Sequence, residues 1–134
     1  MPATKKISAE EFKQWVDAAF IGSPADARSH CEQTMSPNYL SFQAGGDRTD
    51  FERAVAKIAY CRENGKKWET KVCFFSQDEN KIAARLLCNI AIGDQPEKCM
   101  ELMYMAELDD KGRFESIWEQ SAEYSGTNEE INRT

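Results

Sequence analysis

The sequence has little from which a metal centre or a nucleophilic active site could be built. It contains a single histidine, His30, and its five cysteines form no CxxC pair. Metal centres gather several His, Cys or carboxylate ligands at short spacing. The sequence also has no GxSxG motif and no glycine-rich phosphate loop. We therefore expect no metal site, no bound cofactor and no covalent nucleophile.

Long apolar runs are also missing. Ile82–Ala84 is followed at once by Arg85, and no run approaches the roughly 18 residues that a membrane helix needs. The first residues lead into no apolar segment, so we expect no signal peptide. An odd number of cysteines without an export signal indicates reduced thiols and a cytoplasmic location.

Excess positive charge is absent too. The chain has 23 acidic and 17 basic residues, a formal net charge of −6. Nucleic acids and anionic membranes both require a basic surface. We therefore expect neither as a partner, which leaves a small molecule or another protein.

The size and composition of the chain are typical of one globular domain. It has 134 residues, of which 41% are hydrophobic and 30% charged. Residues from 126 onward are polar and acidic. We predict a single domain over residues 1–126 and a disordered tail over residues 127–134.

Three helices are predicted in the first half of the chain. Ser8 and Glu11 form a capping box ahead of an apolar stripe of i, i+3, i+4 spacing. A second helix is expected over residues 24–35, ended by Ser36-Pro37-Asn38. Thr49 and Glu52 form another capping box, which predicts a third helix as far as Asn64-Gly65. The stripe of the first helix is Phe12, Trp15, Val16, Ala19 and Phe20.

The second half of the chain changes to a period of two, which indicates strands. A short strand is predicted at Tyr39–Gln43, between the second and third helices. Trp68, Thr70, Val72 and Phe74 are expected to share one face of a later strand. Four strands are predicted in succession, separated by turns: 68–76, 82–92, 99–108 and 114–124. Helices followed by an antiparallel meander indicate the α+β class, here a curved sheet with helices on one face and a cone-shaped cavity between them.

This order of elements resembles the NTF2-like superfamily, which includes SnoaL-like and ketosteroid-isomerase-like proteins. The resemblance covers about residues 8–125. Trp15–Ser23 looks like the first helix and its turn, Met35–Gln43 like the segment that enters the first strand, and Leu108–Glu119 like the closing hairpin. The chain is closest in style to small fungal isomerases and cyclases of polyketide, meroterpenoid and alkaloid pathways.

The resemblance places candidate binding residues on the first helix and the first strand. Gln43 falls where related proteins carry an aspartate or an asparagine. It cannot take a proton at neutral pH, but its amide could hold a carbonyl or a water. Trp15 falls where a pocket tyrosine is found, although its stripe also fits the core. Tyr39 shares the face of Gln43.

The resemblance places the candidate catalytic residues on the last two strands. Tyr104 aligns near the acid of the penultimate strand, and its phenol could donate to a developing oxyanion. Glu119 aligns with a pocket acid whose pKa would rise in an apolar cavity, which suits general acid–base work. The strand face of Glu119 stays open, because Glu115, Glu119 and Glu123 also fit an outer acidic stripe.

Other polar residues allow two interpretations. Arg85 and Asn89 interrupt an otherwise apolar strand, so they either line the cavity or mark its outward face. Met100, Met103 and Met105 could supply adaptable cavity walls. His30 is expected to be partly exposed and outside the chemistry.

Two functions follow from these expectations. The first is a cofactor-independent isomerase, cyclase or dehydratase acting on a small hydrophobic metabolite, with Glu119 as acid–base group. The alternative is a non-catalytic ligand-binding or dimerisation module, favoured by the missing carboxylate at Gln43. An open cavity with Tyr104 and Glu119 converging would favour the enzyme. A homodimer is expected, because Trp118, Gln120 and Tyr124 would lie on the convex face of the sheet if Glu119 faces inward.

Overall fold

The computed structural model describes residues 5–125. Within them the chain forms three α-helices and six strands, with short 3-10 turns at Pro24–Asp26 and Ala44–Gly46. The elements are α1 Ala9–Phe20, α2 Ala27–Thr34, β1 Met35–Phe42, β2 Arg48–Asp50, α3 Phe51–Asn64, β3 Gly65–Asp78, β4 Lys81–Ile92, β5 Lys98–Leu108 and β6 Phe114–Glu123. The predicted disordered tail lies outside the described residues. No helix within residues 5–125 has the length and apolarity to cross a bilayer.

The six strands form one curved, unclosed sheet in the order β2-β1-β6-β5-β4-β3. β3 to β6 are an antiparallel meander, as the period-two pattern predicted. β1 pairs in parallel with β6, so Ser41 lies beside Ile117 at the centre of the sheet. The three helices cover the concave face, and this arrangement confirms the predicted α+β cone.

The first helix follows its sequence signals closely. Ser8 Oγ accepts from the Glu11 N–H at 3.0 Å, and Glu11 Oε1 accepts from the Ser8 N–H at 3.2 Å. These reciprocal bonds satisfy two helix-end donors. Phe12 is 2% exposed and heads the apolar stripe that packs against the sheet. Burying that stripe against the sheet contributes more than helix propensity does.

The third helix begins one residue later than the predicted capping box. Its N-cap is Asp50, whose Oδ1 accepts from the Arg53 N–H at 2.9 Å. Thr49 instead belongs to β2, where it pairs with Ser41 of β1 and is buried. The pairing holds Thr49 extended and turns its hydroxyl toward other partners. The predicted cap at Thr49 is therefore wrong.

The entry into the sheet also differs from the prediction. The 3-10 turn at Pro24–Asp26 precedes α2, and β1 begins at Met35 without an intervening turn. The pairing between β1 and β6 is irregular between Met35 and Leu40. Pro37, which has no N–H to give to a ladder, lies in that irregular stretch.

A bulge in β3 reverses the predicted side of one aromatic residue. Val72 pairs with Leu86 and Phe74 with Arg85, so Cys73 is an extra residue. Phe74 is consequently exposed, while Phe75 packs against Phe12 with ring centroids 5.2 Å apart. The prediction that Phe74 shares the face of Trp68 is wrong for this reason.

Candidate active site

An open cavity of about 520 Å³ lies between the concave face of the sheet and the three helices. This volume is within the range of sites that hold small molecules. Half of its lining residues are apolar, and three further ones are tyrosines. The apolar members are Phe12, Trp15, Val16, Ala19, Phe20, Met35, Ala54, Ala56, Ile58, Ala106, Phe114 and Ile117.

The aromatic part of the wall is rigid because its rings stack. Trp15 of α1 stacks on Phe114 of β6 with centroids 4.3 Å apart. Phe12 meets the ring of Tyr104 edge-on at 6.5 Å. The structure thus places Trp15 in the cavity lining, where it belongs to the hydrophobic wall rather than to a set of hydrogen-bond donors.

Glu119 and Tyr104 lie directly opposite each other on β6 and β5. Both line the cavity, and side chains of such a cross-strand pair stand about 5 Å apart at Cβ. A bulge fixes this side of β6: Leu108 pairs with Phe114 and Glu107 with Ser116, which leaves Glu115 as the extra residue. The two candidate catalytic residues are therefore brought together.

Burial governs the electrostatics of this pair. It raises the pKa of Glu119 above that of an ordinary glutamate, and the Lys57 ammonium offsets part of the rise. Burial also raises the pKa of Tyr104 well above its usual value, and the charge of Glu119 adds to that rise. At neutral pH Tyr104 thus keeps its proton and is a hydrogen-bond donor, while Glu119 is suited to exchanging one.

A row of hydrogen-bonded polar side chains forms a second wall of the cavity. Lys57 Nζ donates to Thr49 Oγ1 at 2.8 Å, and Thr49 Oγ1 donates to Gln43 Oε1 at 3.1 Å. Gln43 Nε2 in turn donates to Ser41 Oγ at 2.7 Å. Ser41 hydrogen-bonds the Tyr39 phenol, which counters part of the burial that raises the pKa of Tyr39 to about 12. We call this row, Lys57–Thr49–Gln43–Ser41–Tyr39, the polar wall.

The hydrogen bonds of the polar wall define the structural roles of Gln43 and Tyr39. Both polar atoms of the Gln43 amide are engaged within the wall, so this residue braces its neighbours. Tyr39 keeps its proton at neutral pH, because its pKa is raised to about 12. The polar wall and the pair Tyr104–Glu119 line the same cavity.

Arg85 and Asn89 do not line the cavity. Ile82, Ala84, Leu86 and Cys88 point into the core from β4, so the residues between them point outward. Arg85 Nε donates to Glu101 Oε2 at 2.7 Å on that convex face. The interpretation of Arg85 and Asn89 as substrate-binding residues is therefore corrected.

The interpretation of Met103 and Met105 as cavity walls is corrected in the same way, whereas Met100 lies on the opposite face of β5 and is half-buried. Met103 and Met105 are 50% and 61% exposed and lie on the convex face. They alternate with Leu102, Tyr104 and Ala106, which face the core or cavity.

Sequence reasoning missed Lys57, Cys61 and His30, which also line the cavity. Ala54, Lys57, Ile58 and Cys61 follow i, i+3, i+4, i+7 spacing on α3, and that stripe could have found two of them. His30 is half-buried, and burial together with Arg62 lowers its pKa. Among residues 5–125, no three His, Cys, Asp or Glu side chains are grouped so as to hold a metal ion.

No protein-family model matches the chain, and no curated protein matches its sequence. Solved structures match it over most of its length. A provisionally assigned SnoaL-like polyketide cyclase from Jannaschia sp. CCS1 has a TM-score of 0.61 and 15% identity, and the alignment covers 87% of this chain and 90% of that one. An LEH-like epoxide hydrolase of M. tuberculosis has a TM-score of 0.62 and 14% identity over 84% of both chains.

A third solved structure is a Catenulispora acidiphila DSM 44928 protein with a ketosteroid isomerase-like fold, in complex with trimethylamine. It has a TM-score of 0.64 and 10% identity, with 84% of this chain and 85% of that chain covered. These likenesses concern the fold. The chain has the NTF2-like fold that SnoaL-like and ketosteroid-isomerase-like proteins share.

Proposed function

We propose that this protein is a cofactor-independent isomerase or cyclase that works by acid–base catalysis on a small hydrophobic secondary metabolite. The observation that carries the proposal is the pairing of Glu119 with Tyr104 in an open, largely apolar cavity. A titratable carboxyl group beside a protonated phenol provides a proton acceptor and an oxyanion donor. The metabolite would be of the polyketide, meroterpenoid or alkaloid type.

The chemistry uses only these side chains. Glu119 takes a proton from a carbon next to a substrate carbonyl, while Tyr104 donates a hydrogen bond to the carbonyl oxygen as it becomes an enolate. When a carbon–carbon double bond is conjugated with the enolate, return of the proton to the far end of that double bond gives an isomer. Attack of the enolate carbon on a second carbonyl of the same molecule closes a ring, and the new alkoxide then takes the proton from Glu119.

The surroundings support this assignment. The stacked rings of Trp15 and Phe114 offer a flat apolar surface to an unsaturated or cyclic substrate. The folds of a polyketide cyclase and an epoxide hydrolase are similar to this one, and such a fold hosts many reactions. The residues of the site, rather than the fold, therefore support the proposed reaction.

Exchange of carbon-bound hydrogen for deuterium tests the proposal. A panel of β-diketones and aryl ketones is incubated with the protein in D₂O and followed by NMR. We expect the wild type to accelerate exchange at the α-carbon and Glu119→Gln to lose about 10²–10⁴-fold of that acceleration. Glu123→Gln, on the exposed end of the same strand, is the control and should keep it. Equal rates for wild type and Glu119→Gln would overturn the proposal.

The alternative function is a ligand-binding or dimerisation module without catalysis. Gln43 favours it, because an amide replaces a proton acceptor and is engaged within the polar wall. Ligand binding without any exchange in the same experiment would support this alternative.

We also propose a homodimer formed through the convex face of the sheet. Phe74, Met103, Met105 and Trp118 are all exposed there, and Met105 pairs directly with Trp118 across the strands. Adjacent exposed apolar side chains of this kind are typical of protein–protein contacts. The Arg85–Glu101 pair neutralises charge within this patch, so two acidic chains could meet on this face.

The five cysteines are unpaired, which supports a reducing, cytoplasmic location.

Sedimentation tests the dimer. We expect a dimer mass at micromolar concentration for the wild type and a monomer mass for Met105→Lys. Ile21→Lys, which changes an exposed apolar residue beyond the end of α1, should stay dimeric. A monomeric wild type would contradict the proposal.

A further inference from the structure

The polar wall ends on a positive charge that the proposed acid–base chemistry does not use. Lys57 is exposed, and it lines the cavity from α3. It therefore lies at the open side of the cavity, while Glu119 and Tyr104 lie within. The 2.8 Å bond to Thr49 holds the ammonium group in place.

Lys57 is the one cation of the described lining that is left without a negative partner. Among residues 5–125, no carboxylate lies within ion-pair distance of it. Arg53, which also lines the cavity, is paired with Asp47 at 3.1 Å. Burial lowers the pKa of His30, so that ring is neutral at pH 7.

Glu119 does not neutralise Lys57 either. The Glu119 carboxyl group is not within ion-pair distance of the Lys57 ammonium. The ammonium acts on it from further away, since it offsets part of the rise in the pKa of Glu119 that burial causes. Of its three N–H donors, Lys57 uses one on Thr49, so two stay available for a ligand.

We propose that the substrate is a hydrophobic carboxylate whose acid group is bound by Lys57 at the open side of the cavity. This inference rests on the proposed small-molecule function and specifies its substrate class. The carboxylate keeps part of its hydration at the mouth, which limits the cost of burying a charge. Its apolar body lies along Trp15 and Phe114, and its reactive carbon reaches Glu119.

The proposal is tested by comparing an acid with its neutral amide. The probes are 1-naphthaleneacetate and 1-naphthaleneacetamide, which share the same ring, and the measurement is titration calorimetry at pH 7 and low salt. We expect the wild type to bind the acid about tenfold more tightly than the amide. The preference should weaken in high salt, because the ammonium is exposed to solvent.

Two lysine variants test whether Lys57 is the source of the preference for the acid over the amide. Lys57→Met should remove the preference for the acid and leave binding of the amide unchanged. Lys81→Met, an exposed lysine at the start of β4 outside the cavity lining, is the matched control and should keep the preference. The proposal is overturned if the wild type binds both probes equally or neither at millimolar concentration. It is also overturned if Lys57→Met still prefers the acid.

The result is independent of catalysis. Glu119→Gln removes the proton-exchanging group but leaves Lys57 and Thr49 in place, so it should still prefer the acid. A loss of hydrogen exchange in Glu119→Gln with retained preference supports both proposals. Preference without any exchange in the wild type would sustain Lys57 as an anion-binding residue and reject the enzyme.

Discussion

The two faces of the sheet are built from the same strands, yet they treat charged side chains in opposite ways. On the concave face Glu119 is half-buried without an ion-pair partner, and its pKa is raised. On the convex face Glu101 is bound to Arg85 at 2.7 Å, and that bond raises the pKa of the guanidinium. Glutamates on adjacent strands of one sheet therefore differ in environment. The proposed chemistry uses the carboxyl group that has no ion-pair partner.

Apolar side chains also differ between the two faces, in how far they are exposed. Substituting a buried one is expected to give the largest effect of all, on the free energy of unfolding. Leu86 is fully buried, whereas Met105 is 61% exposed. Leu86→Ala should lower the free energy of unfolding by about 2–5 kcal/mol, because it removes packed methyl groups and leaves a cavity. In the monomeric chain, Met105→Ala should change it by less than about 0.5 kcal/mol. Urea denaturation at a concentration at which the chain is monomeric measures both, and similar losses would mean that Met105 is not exposed in the isolated chain.

A smaller effect, on the rate of deuterium exchange, is expected when the phenol hydroxyl of Tyr104 on the concave face is removed. Tyr104→Phe keeps the ring against Phe12 and removes only the hydroxyl donor. If Tyr104 stabilises an oxyanion, the exchange rate should fall by about 10²–10³-fold with little change in stability. The rate is measured by the same deuterium exchange. Tyr60→Phe, at the exposed rim of the cavity, is the control, and an equal loss in both variants would reject the role of Tyr104.

The pH dependence of stability gives a smaller but direct measure of Glu119. Its folded-state pKa is raised, so the folded protein holds this proton more tightly than the unfolded chain. The contribution is present at low pH and is lost as pH rises from about 4, the ordinary value of glutamate, through the raised value. Wild type should lose stability relative to Glu119→Gln over that range, by at most about 1.4 kcal/mol per pH unit. A pH-independent difference between the two in urea denaturation would show that Glu119 is solvated.

The smallest effect is expected on the convex face. Arg85→Met breaks the ion pair with Glu101 but keeps most of the aliphatic packing. Pairs of this kind near the surface contribute about 0–1 kcal/mol, and Arg85 does not line the cavity. Exchange activity and binding of the naphthalene probes should be unchanged. A large loss of either would restore Arg85 to the site.

Local signals were sufficient for much of the fold. The capping box at Ser8 and Glu11 formed as predicted, because its two bonds involve residues three apart. The alternation along β4 and β5 gave strands of nearly the predicted bounds. Tyr104 reached the cavity because its strand pairs with β4 without a register shift.

Pairing between strands decided the features of the fold and the site that these local signals could not. The cap at Thr49 moved to Asp50 because β2 pairs with β1. Lys57 entered the site because the same pairing turns the Thr49 hydroxyl toward α3. Neither contact is written into the residues near Lys57 in the sequence.

By itself the sequence determined that the chain has an amphipathic helical half, a meander of alternating strands and a candidate acid on the last strand. Only the tertiary structure decided which face of each strand is concave. Alternation has a period of two, so it separates two faces but does not say which is covered. The bulge at Glu115 sets the side of Glu119, and the pairing of β6 with both β1 and β5 places that carboxyl group between Tyr104 and the polar wall.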